Sequence, residues 1–372
     1  MSMDTDRDFK LLEQMKIPVK RAAYSDRTAW IMAILADLAY TELDEESDSR
    51  ILELAGVLAQ LTDQDDIAKR LSGLQQYLAD LKLGAVDGAP SNQALRAALD
   101  VGGFELAGGT PLFDADTDTQ GFVACRRDNT GTGMAVICFR GTKQVKDWLT
   151  NIDITPVPIR NPNGDGIVGN MHRGFHDAYM SVHDDIAARL IGYEDLPLYI
   201  TGHSLGGALA VVATWYQSSA RLAACYTYGA PRVGDQGLID RFKTPIYRVV
   251  NVADPVPFVP PAGITINVLK SMLRGVGSLF PFWGAVDWVV DRLIKVQKFR
   301  HYGYMRYLTD AEPGDDGSYA TLRVEFAVSN LRRLLHFYES CRQNRAQRID
   351  KYHGMGLYRD KLRAYSIRRN QA

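Results

Sequence analysis

The sequence predicts an α/β fold, a mostly parallel central sheet flanked by helices, and three observations lead there. From Gly121 onward, short apolar strand-like runs alternate with helical ones, the pattern of strands joined by crossover helices. One of these crossings, Leu198 to Ala213, carries Gly202-His203-Ser204-Leu205-Gly206-Gly207 at its bend, the G-x-S-x-G pattern between a β-favouring stretch and a helix of small residues. Ser204, Gly229-Ala230-Pro231 and Asp254 each fall just past the end of a predicted strand, where open α/β sheets place their chemistry.

Residues 1–25 read as a polar lead-in and 26–372 as a single domain. Thr28 to Leu43 predicts a helix with Trp30, Ile31, Ile34, Leu35, Leu38 and Ala39 on one face, and Ile51 to Leu61 a second. Thr62-Asp63-Gln64-Asp65 reads as an N-cap with first-turn acids, opening a third helix to about Leu83, with a break from Gly84 to Pro90. The acidic helical stretch, about 46–90, reads as an insertion with a weaker claim to the core than the alternating region beyond Gly121. Phe122 to Cys125 and Met134 to Phe139 are expected strands, and His172 to Ala188 a helix. Leu198 to Thr201 is the strand before the bend, and Ala223 to Tyr228 and Ile246 to Asn251 are further buried-type strands. Phe299 to Leu308 is strand-like, Asn330 to Gln347 a basic helix, and His353 is expected in a loop after it.

Composition excludes little but sets bounds. A net charge of −1 gives no case for nucleic-acid binding. The charge is uneven: residues 1–120 carry 22 acidic and 11 basic side chains, whereas 331–372 carry 3 acidic and 11 basic. Two readings are open, oppositely charged helical faces packed on each other, or a basic tail that meets anionic lipid. Cys125, Cys138, Cys225 and Cys341 lack metal or disulfide spacing, and Cys138 and Cys225 read as small core residues. The polar start, Met1 to Lys10, lacks the layout of a secretory signal, so the expected location is the cytoplasm or an export route without a classical signal peptide. No run reaches the ~18 uninterrupted apolar residues of a spanning helix, so a transmembrane protein is not expected.

The bend at Ser204 is the centre of the predicted chemistry. A tight strand-to-helix turn needs glycines beside the serine to avoid Cβ clashes, and it sets the hydroxyl at a helix N-terminus where backbone N–H groups meet developing negative charge. A serine nucleophile needs a base and the base an orienting carboxylate, arriving in the chain order Ser, acid, His in α/β-hydrolases. Asp254 follows a predicted strand and is held among Pro255, Pro257, Pro260 and Pro261; Asp235 and Asp240 lie around a helix instead. Of the histidines beyond Asp254, His301 sits in a strand-like run, His336 on a basic helix and His353 in a late loop. His353 is the expected base and His301 the second choice. The oxyanion donors are expected from the amides of Leu205, next to the nucleophile, and Thr142, in the loop Phe139-Arg140-Gly141-Thr142. No metal or cofactor is required.

These residues resemble a family. Phe139-Arg140-Gly141-Thr142, Trp148, Met171-His172-Arg173-Gly174-Phe175, the bend at Ser204, Tyr228-Gly229-Ala230-Pro231-Arg232-Val233-Gly234 and Asp254-Pro255-Val256-Pro257 look like the class 3 lipases, the fungal-lipase-like α/β-hydrolases. The resemblance runs from about 26 to 365 and is densest over 118–261. It implies an α/β-hydrolase fold with a lid insertion, acyl-ester hydrolysis, a triad on Ser204, Asp254 and His353, and oxyanion groups on Thr142 and Leu205; a cap-like insertion is read from this chain's own extra residues. It also implies that Asn151 holds the oxyanion hydroxyl and that His301, in His301-Tyr302-Gly303, is the family's non-catalytic strand histidine. One departure is Tyr352, which stands where the family has Asp before the catalytic histidine.

The resemblance makes 143–157 a lid, where Val145, Trp148, Leu149 and Ile152 keep helical apolar spacing. About 35 extra residues, Gly263 to Lys298, are rich in apolar side chains but interrupted by Lys270, Arg274, Asp287, Asp291 and Arg292. They are expected either to cap an acyl pocket or lie on a lipid surface, or to serve as plain core. The expected partner is a lipid ester, with peripheral contact to a membrane or lipid-droplet surface; oligomeric state is open. The alternatives to acylglycerol hydrolysis are a phospholipase or galactolipase and, in a different class, a lipid-binding protein with a vestigial triad.

Overall fold

Strand alternation and strand pairing explain most of the architecture. The computed structural model of the chain describes residues 23–41, 45–82, 90–127, 133–142, 155–161, 166–259, 298–342 and 349–370. Its strands are β1 (Glu105–Leu106), β2 (Leu112–Asp114), β3 (Thr119–Arg127), β4 (Gly133–Phe139), β5 (Pro156–Arg160), β6 (Ile167–His172), β7 (Leu198–His203), β8 (Leu222–Tyr228), β9 (Gly234–Asp235), β10 (Ile246–Asn251), β11 (Phe299–Arg300), β12 (Tyr304–Leu308) and β13 (Val324–Glu325). Its helices are α1 (Asp26–Leu38), α2 (Glu45–Leu61), α3 (Ile67–Lys82), α4 (Pro90–Val101), α5 (Arg173–Met180), α6 (His183–Arg189), α7 (Leu205–Tyr216), α8 (Gln236–Ile239), α9 (Asn330–Arg342), α10 (Ile349–His353) and α11 (Met355–Asn370).

In the main sheet β4, β7, β8, β10 and β12 run parallel, side by side. β3 pairs antiparallel with β4, β1 and β2 with β3, and β13 with β12. Parallel neighbours require crossovers, and helices on both faces supply them. This is the α/β-hydrolase fold the sequence predicts. A second, antiparallel sheet has the order β11-β9-β6-β5.

The period of two sorts the core into two layers. Leu198 and Ile200 of β7 and Cys225 of β8 join α5 and α7 (Phe175, Tyr179, Ala208, Leu209, Val212) on one face. Tyr199, Ala224, Tyr226 and Tyr228 join α1 on the other.

α1 is buried from Thr28 through Leu38, not along one stripe. The reason is α11, which packs along it and supplies Arg359 to the buried Asp37 at 3.0 Å and Arg369 to Asp26 at 3.0 Å. Arg50 of α2 also pairs with Asp37. The acidic start and basic end of the chain therefore face each other.

The stretch 46–90 contributes more to the core than its acidity implies. Ile51, Leu54, Ala55, Leu58, Leu74 and Leu78 are buried in the same cluster as α1, because helical spacing gathers them on the inner faces of α2 and α3. Three boundaries also differ from expectation. The helix over 172–188 is two, since Val182 (φ −117°, ψ 4°) leaves helical geometry. The run 299–308 is split by a loop through Gly303 (φ +96°), where a Cβ would lie 2.1 Å from the Ile246 carbonyl oxygen. His353 ends a short helix rather than lying in a loop. Among the described residues, no helix is long and apolar enough to cross a membrane.

Candidate active site

Ser204 stands between β7 and α7 with φ 57° and ψ −125°, a positive φ that a non-glycine residue adopts only when its surroundings impose it. Its N–H donates to the Tyr228 carbonyl oxygen at 2.9 Å, tying the bend to β8. The flanking glycines are required by contact as well as by conformation. A Cβ on Gly202 would sit 2.3 Å from the Gly206 oxygen, and one on Gly206 would sit 2.3 Å from the Phe139 oxygen.

Two further chain segments converge on this bend. Ser204 Oγ lies 2.9 Å from His353 Nε2, and His353 Nδ1 lies 3.0 Å from both carboxylate oxygens of Asp254. A carboxylate only accepts, so Nδ1 carries the proton and Nε2 faces the serine hydroxyl as an acceptor. The structure thus brings Ser204, Asp254 and His353 into one hydrogen-bonded row. The two other histidines beyond Asp254 do not reach it. His301 Nε2 donates to the Pro257 carbonyl oxygen at 2.7 Å, and His336 Nδ1 meets the Tyr307 hydroxyl at 2.8 Å. Asp235 caps α8 through Leu238 N–H at 3.2 Å, and Asp240 accepts from Gln236 at 2.7 Å.

Asp254 is completely buried at its side chain. Its Oδ1 accepts from Val256 N–H at 2.9 Å and its Oδ2 from the Tyr358 hydroxyl at 2.5 Å. Ala253, just before it, has φ 58°, and Val256–Phe258 form a 3₁₀ turn, so the proline-rich loop is a fixed bracket for the carboxylate. Burial, then the Asp254 charge, pushes the Tyr358 hydroxyl well above its ordinary range, which keeps it a donor.

The sequence gives little sign of a second row of supports. His203 Nε2 donates to the backbone oxygen of His353 at 2.6 Å, and His203 Nδ1 accepts from the Tyr40 hydroxyl at 2.9 Å. Burial and then the neighbouring His353 hold His203 well below the usual imidazole range, so it is neutral. Asn251 Nδ2 donates to the Tyr352 backbone oxygen at 3.1 Å, which fixes the residue before His353. Tyr352 itself is buried and donates to Asp310 at 3.0 Å, so its side chain serves packing and that one hydrogen bond.

On the oxyanion side, Leu205 opens α7, whose first-turn N–H groups have no carbonyl partner within the helix. The Phe139–Thr142 loop passes close to the bend, since a Cβ on Gly141 would lie 3.1 Å from Ser204 Cβ. Thr142 is half-buried at its end. Asn151 and most of the expected lid, 143–154, lie outside the described residues, as does 263–297 of the expected cap. Among the described residues, no cluster of three His, Cys, Asp or Glu side chains is placed to hold a metal ion.

A serine on the bend after a central parallel strand, in a sheet of this order, is the arrangement of the α/β-hydrolase fold. Residues 136–264 match the family described as Lipase (class 3). The chain is 36% identical over 158 residues to a lipase of Rhizomucor miehei, covering 39% of this chain and 42% of that one. It is 31% identical over 192 residues to a chloroplastic phospholipase A(1) of Arabidopsis thaliana, covering 44% and 42%. It is 34% identical over 134 residues to a secreted mono- and diacylglycerol lipase of Fusarium solani, covering 34% and 39%. The chain therefore spans about two fifths of the length of these curated relatives. A solved Rhizomucor miehei lipase–propeptide complex is 24% identical, with 68% of each chain covered and a TM-score of 0.42.

Proposed function

We propose that this chain is a serine carboxylic ester hydrolase, a lipase that cleaves acylglycerols through an acyl-enzyme on Ser204. The single observation that carries the proposal is the 2.9 Å contact between Ser204 Oγ and His353 Nε2, continued at 3.0 Å to Asp254. In the reaction, His353 Nε2 takes the hydroxyl proton as Oγ attacks the ester carbonyl, and Asp254 stabilises the resulting imidazolium. The amides of Leu205 and Thr142 hold the tetrahedral oxyanion. Collapse expels the alcohol, which takes the proton from His353. Water, deprotonated by the same imidazole, then releases the fatty acid and restores Ser204.

Acylglycerols are the preferred substrate class because the Rhizomucor and Fusarium relatives are named as lipases. A phospholipase A1 activity is the second reading, favoured by the Arabidopsis relative's name. Ser204 is 0% exposed, so an ester reaches it only after part of the chain moves aside. That requirement supports contact with a lipid surface, membrane or droplet, as the opening event.

The test is a panel of nitrophenyl esters, triglycerides and phospholipids, with fluorophosphonate labelling, on wild type and Ser204→Ala. Wild type should label and hydrolyse; Ser204→Ala should do neither. His353→Ala should lose about 10³-fold or more in kcat, while folded His301→Ala retains the triad and most activity. A folded wild type that neither labels nor hydrolyses would leave the lipid-binding alternative standing.

A further inference from the structure

On the α7 face of the sheet, away from the Ser204 row, a small cavity lies between α7, α8 and the β8–β10 pair. Thr227 of β8 and Arg248 of β10 are direct register partners, and both line it. Arg248 is 8% exposed, and among the described residues its Nε and Nη1 have no hydrogen-bond partner. Thr227 is 1% exposed, and its Oγ1 has none either. The rest of the wall includes Val211, Leu238 and Ile239, with His301 at one side.

The surroundings are cationic. Arg333 of α9 is buried, stacks its guanidinium 4.4 Å over the Phe258 ring, and leaves Nε and Nη2 without partners. Arg232 is buried as well and donates to the Phe258 carbonyl oxygen. Burial first, then the charges of Arg333 and Arg232, pull Arg248 down to about 9, still a cation at neutral pH. His301 is driven well below the usual imidazole range by burial and then by Arg248, Arg232 and Arg333, so it adds no charge. The acid that acts on Arg333 is Asp254, whose oxygens are already taken by His353, Val256 and Tyr358. Among the described residues, no carboxylate forms an ion pair with Arg248.

A buried cation with unused donors is costly unless an anion completes it. We propose that this cavity binds one small monovalent anion of the chloride class, held between the Arg248 guanidinium and the Thr227 hydroxyl. A small site centred on one guanidinium and one hydroxyl suits a compact ion better than phosphate, sulfate or a lipid headgroup, which need more donors. Chemistry agrees: the unpaired Arg248 and Thr227 groups can both donate beside the apolar side chains of Val211, Leu238 and Ile239, which suits a weakly hydrated acceptor, whereas a water would leave the charge uncompensated. The site is independent of the ester chemistry proposed above.

The test follows thermal unfolding of the full chain as chloride replaces gluconate at constant ionic strength. Gluconate is a far bulkier anion than chloride. Wild type should gain stability with chloride, approaching a tenfold rise in folding constant per tenfold chloride above the dissociation constant, the linkage of one site. Arg248→Gln should flatten the response and Thr227→Val should weaken it. Crystals of wild type grown in bromide should show an anomalous peak in the cavity. Coincident chloride and gluconate curves would overturn the proposal. So would a bromide crystal without that peak, a result that needs no variant to fold.

Discussion

Tyr358 holds the carboxylate that holds the imidazole. Among the described residues its hydroxyl is one of two donors on Asp254 besides His353, the other being the Val256 amide, and the carboxylate has no exposed surface. Removing it leaves a buried carboxylate oxygen short of a partner and loosens the geometry of His353. Tyr358→Phe should keep its fold and lower kcat about tenfold with KM nearly unchanged, the worth of one hydrogen bond to a charged group. Steady-state kinetics on a short-chain ester checks this, and a change under twofold would show Asp254 is held without it. Ser204 and Asp254 were legible in the sequence because their settings are local: glycines around one, prolines after the other. His353 was legible through chain order and the elimination of His301 and His336. Tyr40, His203 and Tyr358 carried no such signal, since their partners lie 163, 150 and 104 residues away.

At the scale of elements, α1 and α11 are held together by a buried charge. Asp37 has no exposed side-chain surface, and Arg359, 13% exposed, reaches it at 3.0 Å with Arg50 on the same carboxylate. Replacing Arg359 by Met keeps much of the packing but removes one of two counter-charges. The expected cost is about 3 kcal/mol, at the lower end for breaking a buried pair because Arg50 remains. Urea denaturation measures it, and Asp37→Asn combined with Arg359→Met should cost less than the sum of the two single changes. Since α11 follows His353 directly, the Arg359→Met variant should also lose activity at temperatures where wild type is still fully active. The central strands were legible because they are short, apolar and bounded by turn residues. α4 and α11 were not, since α4 follows a Gly-rich break and α11 is mostly polar, with only Met355, Tyr358, Lys361, Leu362 and Ser366 buried. Their helicity comes from packing on α3 and α1 rather than from a pattern along the chain.

At the scale of the whole molecule, the sequence specified the layered sheet through strand alternation, but the neutral histidines at its heart are a product of the assembled fold. His203 is 5% exposed, and burial, then His353, holds it well below the ordinary imidazole value. In the unfolded chain the same imidazole binds a proton near its ordinary pKa, about 6.5. Between these two values the unfolded state carries more protons, so stability rises with pH there and is lost as pH falls below about 6.5. The slope from one such histidine is at most about 1.4 kcal/mol per pH unit. His301 is half-buried and shifted in the same direction, so it steepens the fall in the same window. Urea midpoints followed from about pH 7.5 to about pH 5 should therefore drop more steeply in wild type than in His203→Asn, by up to one proton's share. The variant gives up the bond to the His353 backbone at every pH, so its curve should start lower and run flatter. Two curves that stay parallel through that window would mean the imidazole of His203 takes up its proton in the folded protein as readily as in the unfolded chain.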